Sequence, residues 1–154
     1  ADLLSIPAME KVMMEAMQEA EKPEYTEEDY AYAAQFAADE NSPSIDTDIL
    51  PADQTINLGS TDVGDVSWQV PTGLIGVATE ATGCALHTWQ IVAQGKSPLA
   101  HKGMHYAARI LFAAAKKLYE SPERCALIQD DYQNVIGHRT YQSMLPDSVK
   151  PGDF

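Results

Sequence analysis

Residues able to do metal or acid–base chemistry are concentrated between Gly59 and Trp89, which reads GSTDVGDVSWQVPTGLIGVATEATGCALHTW. Two carboxylates, Asp62 and Asp65, lie in a turn rich in glycine, serine and threonine, and His87 follows a short apolar run. Loops at strand ends often hold the polar groups of α/β sites, because a core cannot accommodate them. Spacing alone leaves a structural role open at each position: the carboxylates could cap a following helix, and the histidine could be a hydrogen-bonded loop residue.

His101 and His105 form a second pair of candidate metal ligands, since a spacing of four places both on one face of a helix. A zinc site needs three or four ligands, and the HExxH pattern is absent, so surface or packing roles are the alternative. A nucleophilic triad is not supported. Ser60, Asp62 and His87 are present, but no GxSxG motif surrounds the serine.

The composition excludes several classes of partner. The chain has 154 residues, which predicts one domain, and 23 acidic against 10 basic residues give a formal charge of -13. This balance argues against nucleic acid and anionic membranes. The sequence contains neither a membrane-spanning apolar run nor a basic leader, so we expect a cytoplasmic protein. Cys84 and Cys125 lack CxxC spacing and are interpreted as reduced, buried structural residues.

Helices are predicted at both ends of the chain. Pro7 fits a first helical turn, and a methionine-rich apolar stripe follows as far as Lys22–Pro23. Thr26 and Asp29 predict a capping box for a second helix that stops by Asn41–Pro43. The clearest helix begins after Ser97–Pro98, and another begins at Ser121–Pro122 and ends before Gly137. The apolar residues that predict these last two helices recur at helical spacing: Met104, Ala107, Ala108, Leu111, Ala115 and Leu118, then Cys125, Ile128, Tyr132 and Val135.

The centre of the chain is predicted to contain strands. Thr55 to Leu58 fits a short strand, Gly73 to Val77 fits a buried one, and Thr79 to Leu86 would be a loop that delivers His87. These elements predict an α/β fold with helices around a small central sheet.

Three segments resemble a known family. GSTDVGDVSWQVPT, ALHTWQIVAQGKSPLAHKGM and TYQSMLPDSVKP are similar to the C-terminal part of aminobenzoyl-glutamate hydrolases, in the glutamate carboxypeptidase superfamily of two-metal carboxypeptidases and amidohydrolases. The resemblance runs from about Glu24 to Lys150, and the first two motifs together are specific. It implies part of a two-metal aminopeptidase-like catalytic domain that hydrolyses an amide to an amino acid, of the p-aminobenzoyl-glutamate or N-acyl amino acid type.

The resemblance also implies site residues. By position, His87 matches the last ligand of a dinuclear zinc or manganese site, and His101 is the alternative. Gly59, Ser60, Thr61 and Asp62 match a turn that borders the substrate, although Thr61 departs from the acidic residue found there. The other metal ligands, the general-base glutamate that would activate the metal-bound water, and the dimerisation domain are not identifiable.

Two hypotheses follow from these missing parts. In the first, residues 1–154 are a C-terminal fragment of the catalytic domain that is inactive alone, because one histidine cannot hold two cations about 3.5–4 Å apart. Its partner would be the N-terminal half of that domain, and the exposed fragment would self-associate. In the second, the chain is a non-catalytic acidic interaction module derived from the same family.

Overall fold

A computed structural model describes residues 1–38, 41, 43–51, 61–146, 148–150 and 152 of the chain. Within these residues the regular structure consists of six helices: α1 (Pro7–Glu19), α2 (Glu27–Ala33), α3 (Val63–Ser67), α4 (Trp89–Gln94), α5 (Pro98–Tyr119) and α6 (Pro122–Ile136). None of these helices combines the length and the apolar character that crossing a bilayer requires.

The helix starts follow local capping chemistry. Thr26 and Asp29 form the predicted capping box of α2, with both reciprocal hydrogen bonds present. The Ser97 and Ser121 side chains accept hydrogen bonds from backbone N–H groups in the first turns of α5 and α6, and a proline follows each serine. These starts are confirmed. The ends are less accurate, because α1 and α2 stop before the predicted boundaries, and α4 was not predicted.

The main core lies where α1, α5 and α6 meet. Leu4 and Ile6 enter it from the N-terminal segment, and the helices contribute Val12, Met13, Ala16, Tyr106, Ile110, Ala114, Ile128 and Tyr132. A smaller cluster ties α2 and the start of α5 to two loops through Ala33, Ile45, Ala81 and Leu99. The second cluster therefore anchors the loop that leads to His87.

The predicted α/β fold is wrong for the described residues, which contain no strand. Residues 71–79 run as irregular chain, and Ile75 and Val77 pack against the helical core instead of joining a sheet. The predicted burial is only partial, because Leu74 is 53% exposed. A short apolar run favours burial, but strand formation also requires a neighbouring backbone to pair with. The predicted strand from Thr55 to Leu58 lies outside the described residues.

The α5 helix is apolar on two faces. Its buried residues are Leu99, Ala100, Gly103, Tyr106, Ile110 and Ala114, whereas Met104 and Leu111, which helped to predict the helix, are half exposed. Gly103 is required on the inner face, because a Cβ there would lie 2.1 Å from the Ala78 carbonyl oxygen. In α6, Ile128 and Tyr132 are buried as predicted, but Cys125 is exposed.

Candidate functional site

His87 lies at the end of the loop that leads into α4, and its side chain is exposed. Its φ is 60°, in the left-handed region that few non-glycine residues adopt. The Thr88 hydroxyl donates a hydrogen bond to the Ala85 carbonyl at 2.7 Å, which closes the turn around His87. The imidazole is therefore accessible to a group outside the described chain.

Gln94, the last residue of α4, connects this loop to the helix through hydrogen bonds of its buried side chain. The side chain is 1% exposed, and its Oε1 accepts a 2.7 Å hydrogen bond from the Ala81 N–H. Its Nε2 donates to the Gln90 carbonyl at 3.1 Å and to Cys84 Sγ at 3.4 Å. Sequence patterns did not predict this role, because nothing around Gln94 distinguishes it from a surface glutamine.

The predicted substrate turn is only partly described. Thr61 and Asp62 are exposed, and the Asp62 side chain makes no capping bond to α3, whereas Thr61 Oγ1 accepts from the Val63 N–H at 3.2 Å. Asp65 lies in α3 and accepts a 2.7 Å hydrogen bond from the Ala1 nitrogen. Gly59 and Ser60 lie outside the described residues.

The described chain does not assemble a metal site by itself. His101 and His105 are both exposed on α5. In the part of the chain that the structure describes, no three His, Cys, Asp or Glu side chains lie close enough together to hold one ion. These residues therefore do not fit a dinuclear centre on their own, and neither His87 nor the histidine pair completes one.

A cleft of about 620 Å³ lies between α1, residues 46–50 and residues 74–84. Its apolar wall is formed by Met13, Met14, Met17, Tyr25, Leu74 and Ile75. Gly83 and Cys84 line the cleft, but His87, His101, Thr61 and Asp62 do not. The structure therefore places the cleft beside the His87 loop without bringing the predicted site residues together in it.

Large apolar side chains are exposed beside the candidate ligand and along α5. Trp89 is 70% exposed and Val92 80% exposed in α4, and Phe112 is 73% exposed in α5. Helical spacing places His101, His105, Ala108, Phe112 and Ala115 on one side of α5, opposite its buried residues, and all five are exposed. We call these five residues the outer face of α5.

One curated protein shares detectable similarity with most of the chain. It is a subunit of the p-aminobenzoyl-glutamate hydrolase of Escherichia coli (strain K12), and it is 29% identical over 172 aligned positions. The alignment covers 93% of this chain and 36% of that protein, so the chain spans about a third of the length of this relative. The similarity supports a distant, family-level relation.

The other comparisons give no match. No protein-family model matches the chain, and no solved structure matches it.

Proposed function

We propose that this chain is one part of a metal-dependent amidohydrolase that releases an amino acid from p-aminobenzoyl-glutamate or a related N-acyl amino acid. The supporting observation is the similarity over 93% of the chain to a protein named as a subunit of a p-aminobenzoyl-glutamate hydrolase. Because the alignment covers 36% of that protein, the remaining ligands and the general base are assigned to sequence outside this chain.

His87 is the ligand that this chain contributes in the proposal. A side chain at a loop tip can reach a metal ion held mainly by another part of the protein, whereas a core histidine cannot. The imidazole of His87 is exposed, and the Thr88–Ala85 hydrogen bond holds the turn around it, so His87 meets this requirement. A neutral imidazole nitrogen is a common zinc ligand, and it also suits several other divalent cations.

Thr61 and Asp62 border the substrate in the same proposal, together with Gly59 and Ser60. The carboxylate of Asp62 is exposed and makes no capping bond, so it remains available to a substrate or to a ligand histidine. The relative is named as one subunit of its hydrolase, which further supports a partner polypeptide. Zinc and manganese are both compatible with this set of donors.

The test uses the complete protein that carries this chain, with His87→Ala, His101→Ala and His105→Ala compared side by side. We expect His87→Ala to lower p-aminobenzoyl-glutamate cleavage by at least about 100-fold, because changes one step removed from a metal already cost about 10–100-fold. Metal content should fall as well. His138→Ala, at an exposed position outside α5, is the matched control and should leave both unchanged. His105→Ala should also leave both unchanged if His87 is the ligand.

Two outcomes would change the proposal. If His101→Ala rather than His87→Ala removed metal and activity, the ligand would be His101. If all three variants kept full activity and metal content, this chain would supply no histidine to the reaction. The isolated 154-residue chain is expected to be inactive in the same assay.

A second candidate function is a non-catalytic assembly module, and the exposed outer face of α5 is the observation that favours it. Its apolar members are Ala108, Phe112 and Ala115, and an exposed apolar patch is typical of a contact surface. The two functions differ in activity: an assembly module would keep its binding when His87 is replaced and would cleave no amide in any preparation.

A further inference from the structure

Gln94 is unusual in its position. It is the last residue of α4, a short helix whose other members Trp89 and Val92 are mostly exposed, yet its own side chain is 1% exposed. Buried polar side chains are retained when their hydrogen bonds are made, because an unpaired buried amide is costly. The burial of Gln94 therefore requires an explanation in terms of its partners.

The partners of Gln94 all belong to the loop–helix unit around His87. A glutamine side chain offers an accepting oxygen and two N–H donors. The oxygen accepts from the Ala81 N–H, and the nitrogen donates to the Gln90 carbonyl and the Cys84 sulfur. One side chain thus ties the start of the loop, its middle and the following helix together.

His87 depends on such a tie, because its backbone is in the left-handed region. A non-glycine residue keeps that conformation only when the surrounding structure holds it. The Thr88–Ala85 hydrogen bond closes the turn locally, whereas the bond from the Ala81 N–H to Gln94 links the far end of the loop to α4. The second cluster and the backbone hydrogen bonds of Thr82 with Ser44 and Ala38 also hold the start of the loop, so the specific contribution of Gln94 is to fix the loop against α4.

We infer that Gln94 is a positioning residue for His87. Its buried amide fixes the path of residues 81–88 and thereby the position from which the His87 imidazole would reach a metal ion. The metal-binding purpose of this positioning rests on the proposed function. The hydrogen bonds of Gln94 to Ala81, Cys84 and Gln90, which we call the clamp, are a property of this chain alone.

The first test measures the clamp in the 154-residue chain. Gln94→Met keeps the length of the side chain and removes all three polar contacts, and Gln133→Met changes an exposed glutamine of α6 as the control. We expect Gln94→Met to speed hydrogen exchange at the Ala81 amide by about tenfold and to shift the ring signals of His87 but not those of His105. Gln133→Met should change neither.

A second variant keeps the test decisive if Gln94→Met disturbs folding. Gln94→Glu, studied at about pH 5 where burial favours the protonated carboxyl, keeps an oxygen that can accept from the Ala81 N–H and one O–H donor for the Gln90 carbonyl. Its Ala81 amide should stay more protected than that of Gln94→Met, and its His87 signals should lie closer to wild type. Wild-type exchange and unchanged His87 signals in both variants would overturn the clamp.

The second readout uses the complete protein and separates positioning from general stability. In the folded fraction, Gln94→Met should lower kcat by about 10–100-fold with little change in KM and should reduce bound metal. If His87→Ala left activity and metal intact while Gln94→Met still opened the loop, the proposed function would fail and the clamp would stand. If His87→Ala abolished activity while Gln94→Met left the loop unchanged, the clamp would fail alone.

Discussion

The Asp29 carboxylate is 5% exposed and accepts hydrogen bonds from Lys102 of α5 and from the Thr26 backbone at the start of α2. Burial by itself raises the pKa of Asp29, but the hydrogen bonds from Lys102 and Thr26 outweigh burial and hold the pKa below the usual value. The same carboxylate completes a helix cap and an ion pair, so it joins α2 to α5.

The sign of the resulting pH dependence follows from the direction of the shift. A carboxyl whose pKa is lower in the folded state binds protons more readily when unfolded, so its contribution is present above the unfolded pKa of about 3.9. The contribution is lost as the pH falls through the lowered pKa of the folded state. Glu15, beside Arg124, has its pKa lowered too and acts in the same direction.

Asp29→Asn tests this pair. The amide keeps an acceptor for the Thr26 N–H and loses the charge that faces Lys102, so we expect a loss of about 1–3 kcal/mol in unfolding free energy at pH 7. The difference from wild type should shrink as the pH is lowered below about 4. Asp48→Asn, at an exposed position, should follow wild type at every pH. Urea unfolding across this pH range measures both, and a constant difference would contradict the assignment.

Residue-level predictions from the sequence succeeded where the partners are close along the chain. Thr26 and Asp29 are three residues apart, so their capping box was predictable from spacing. The partnership of Asp29 with Lys102 was not, because 73 residues separate them and only tertiary packing brings them together. The contacts of Gln94 are closer in sequence, but they depend on a loop path that no local pattern specifies.

At the scale of elements, α6 caps α1 across the core. The residue before α1 is Ile6, whose side chain cannot accept a hydrogen bond. Asp131 of α6 takes that role, and its Oδ2 accepts from the Ala8 N–H at 2.8 Å. The negative charge also lies near the positive end of the α1 dipole. The cap therefore makes α1 dependent on correct docking of α6.

Asp131→Ala should remove this cap at a cost of about 0.5–2 kcal/mol, the range for losing a helix N-cap. Asp130→Ala is the matched control, since it removes the neighbouring carboxylate at an exposed position of the same helix. It should change the unfolding free energy by less than about 0.5 kcal/mol. Urea midpoints at constant m-value give the comparison, and equal losses in the two variants would show that Asp131 caps nothing.

Element types were predictable where periodicity and caps agree, as in α5 and α6. The error at residues 71–79 arose because an apolar run of strand length specifies burial, while pairing is decided by the rest of the molecule. The inner face of α5 was ambiguous for a related reason. Both of its faces are apolar, and the packing of Ile110 rather than Leu111 against the main core is set by α1 and α6.

At the scale of the whole molecule, the candidate site was predictable only as separate pieces. His87 lies in a loop, as predicted, but irregular chain rather than a strand precedes that loop, and the helix that follows it is the six-residue α4. The role of His87 as a metal ligand stays a prediction. His87 and Asp62 do not line the cleft beside the loop, and Gly59 and Ser60 lie outside the described residues, so the grouping of these residues at one site stays a prediction. The ligands of a metal site usually come from residues that are far apart in the sequence and meet only in the folded protein. The spacing of residues within one segment therefore says little about which side chains form such a site.

The balance between charge and apolar surface determines how copies of this chain behave in solution. Each copy carries a formal charge of -13, which opposes contact between copies. The outer face of α5 offers apolar area without acidic side chains, and exposed apolar patches favour association. Raising the salt concentration screens the repulsion and leaves the apolar attraction, because the Debye length falls from about 10 Å at 0.1 M to about 3 Å at 1 M.

We therefore expect the isolated chain to self-associate through the outer face, more strongly at about 0.5 M salt than at about 0.05 M. Phe112→Glu places a charge at the centre of that face and should keep the chain monomeric in sedimentation velocity runs at high concentration. Met144→Glu, at a residue 89% exposed outside α5, adds the same charge elsewhere and should still associate at the higher salt concentration. A wild-type chain that stays monomeric under all these conditions would show that the outer face of α5 is not a surface for self-association.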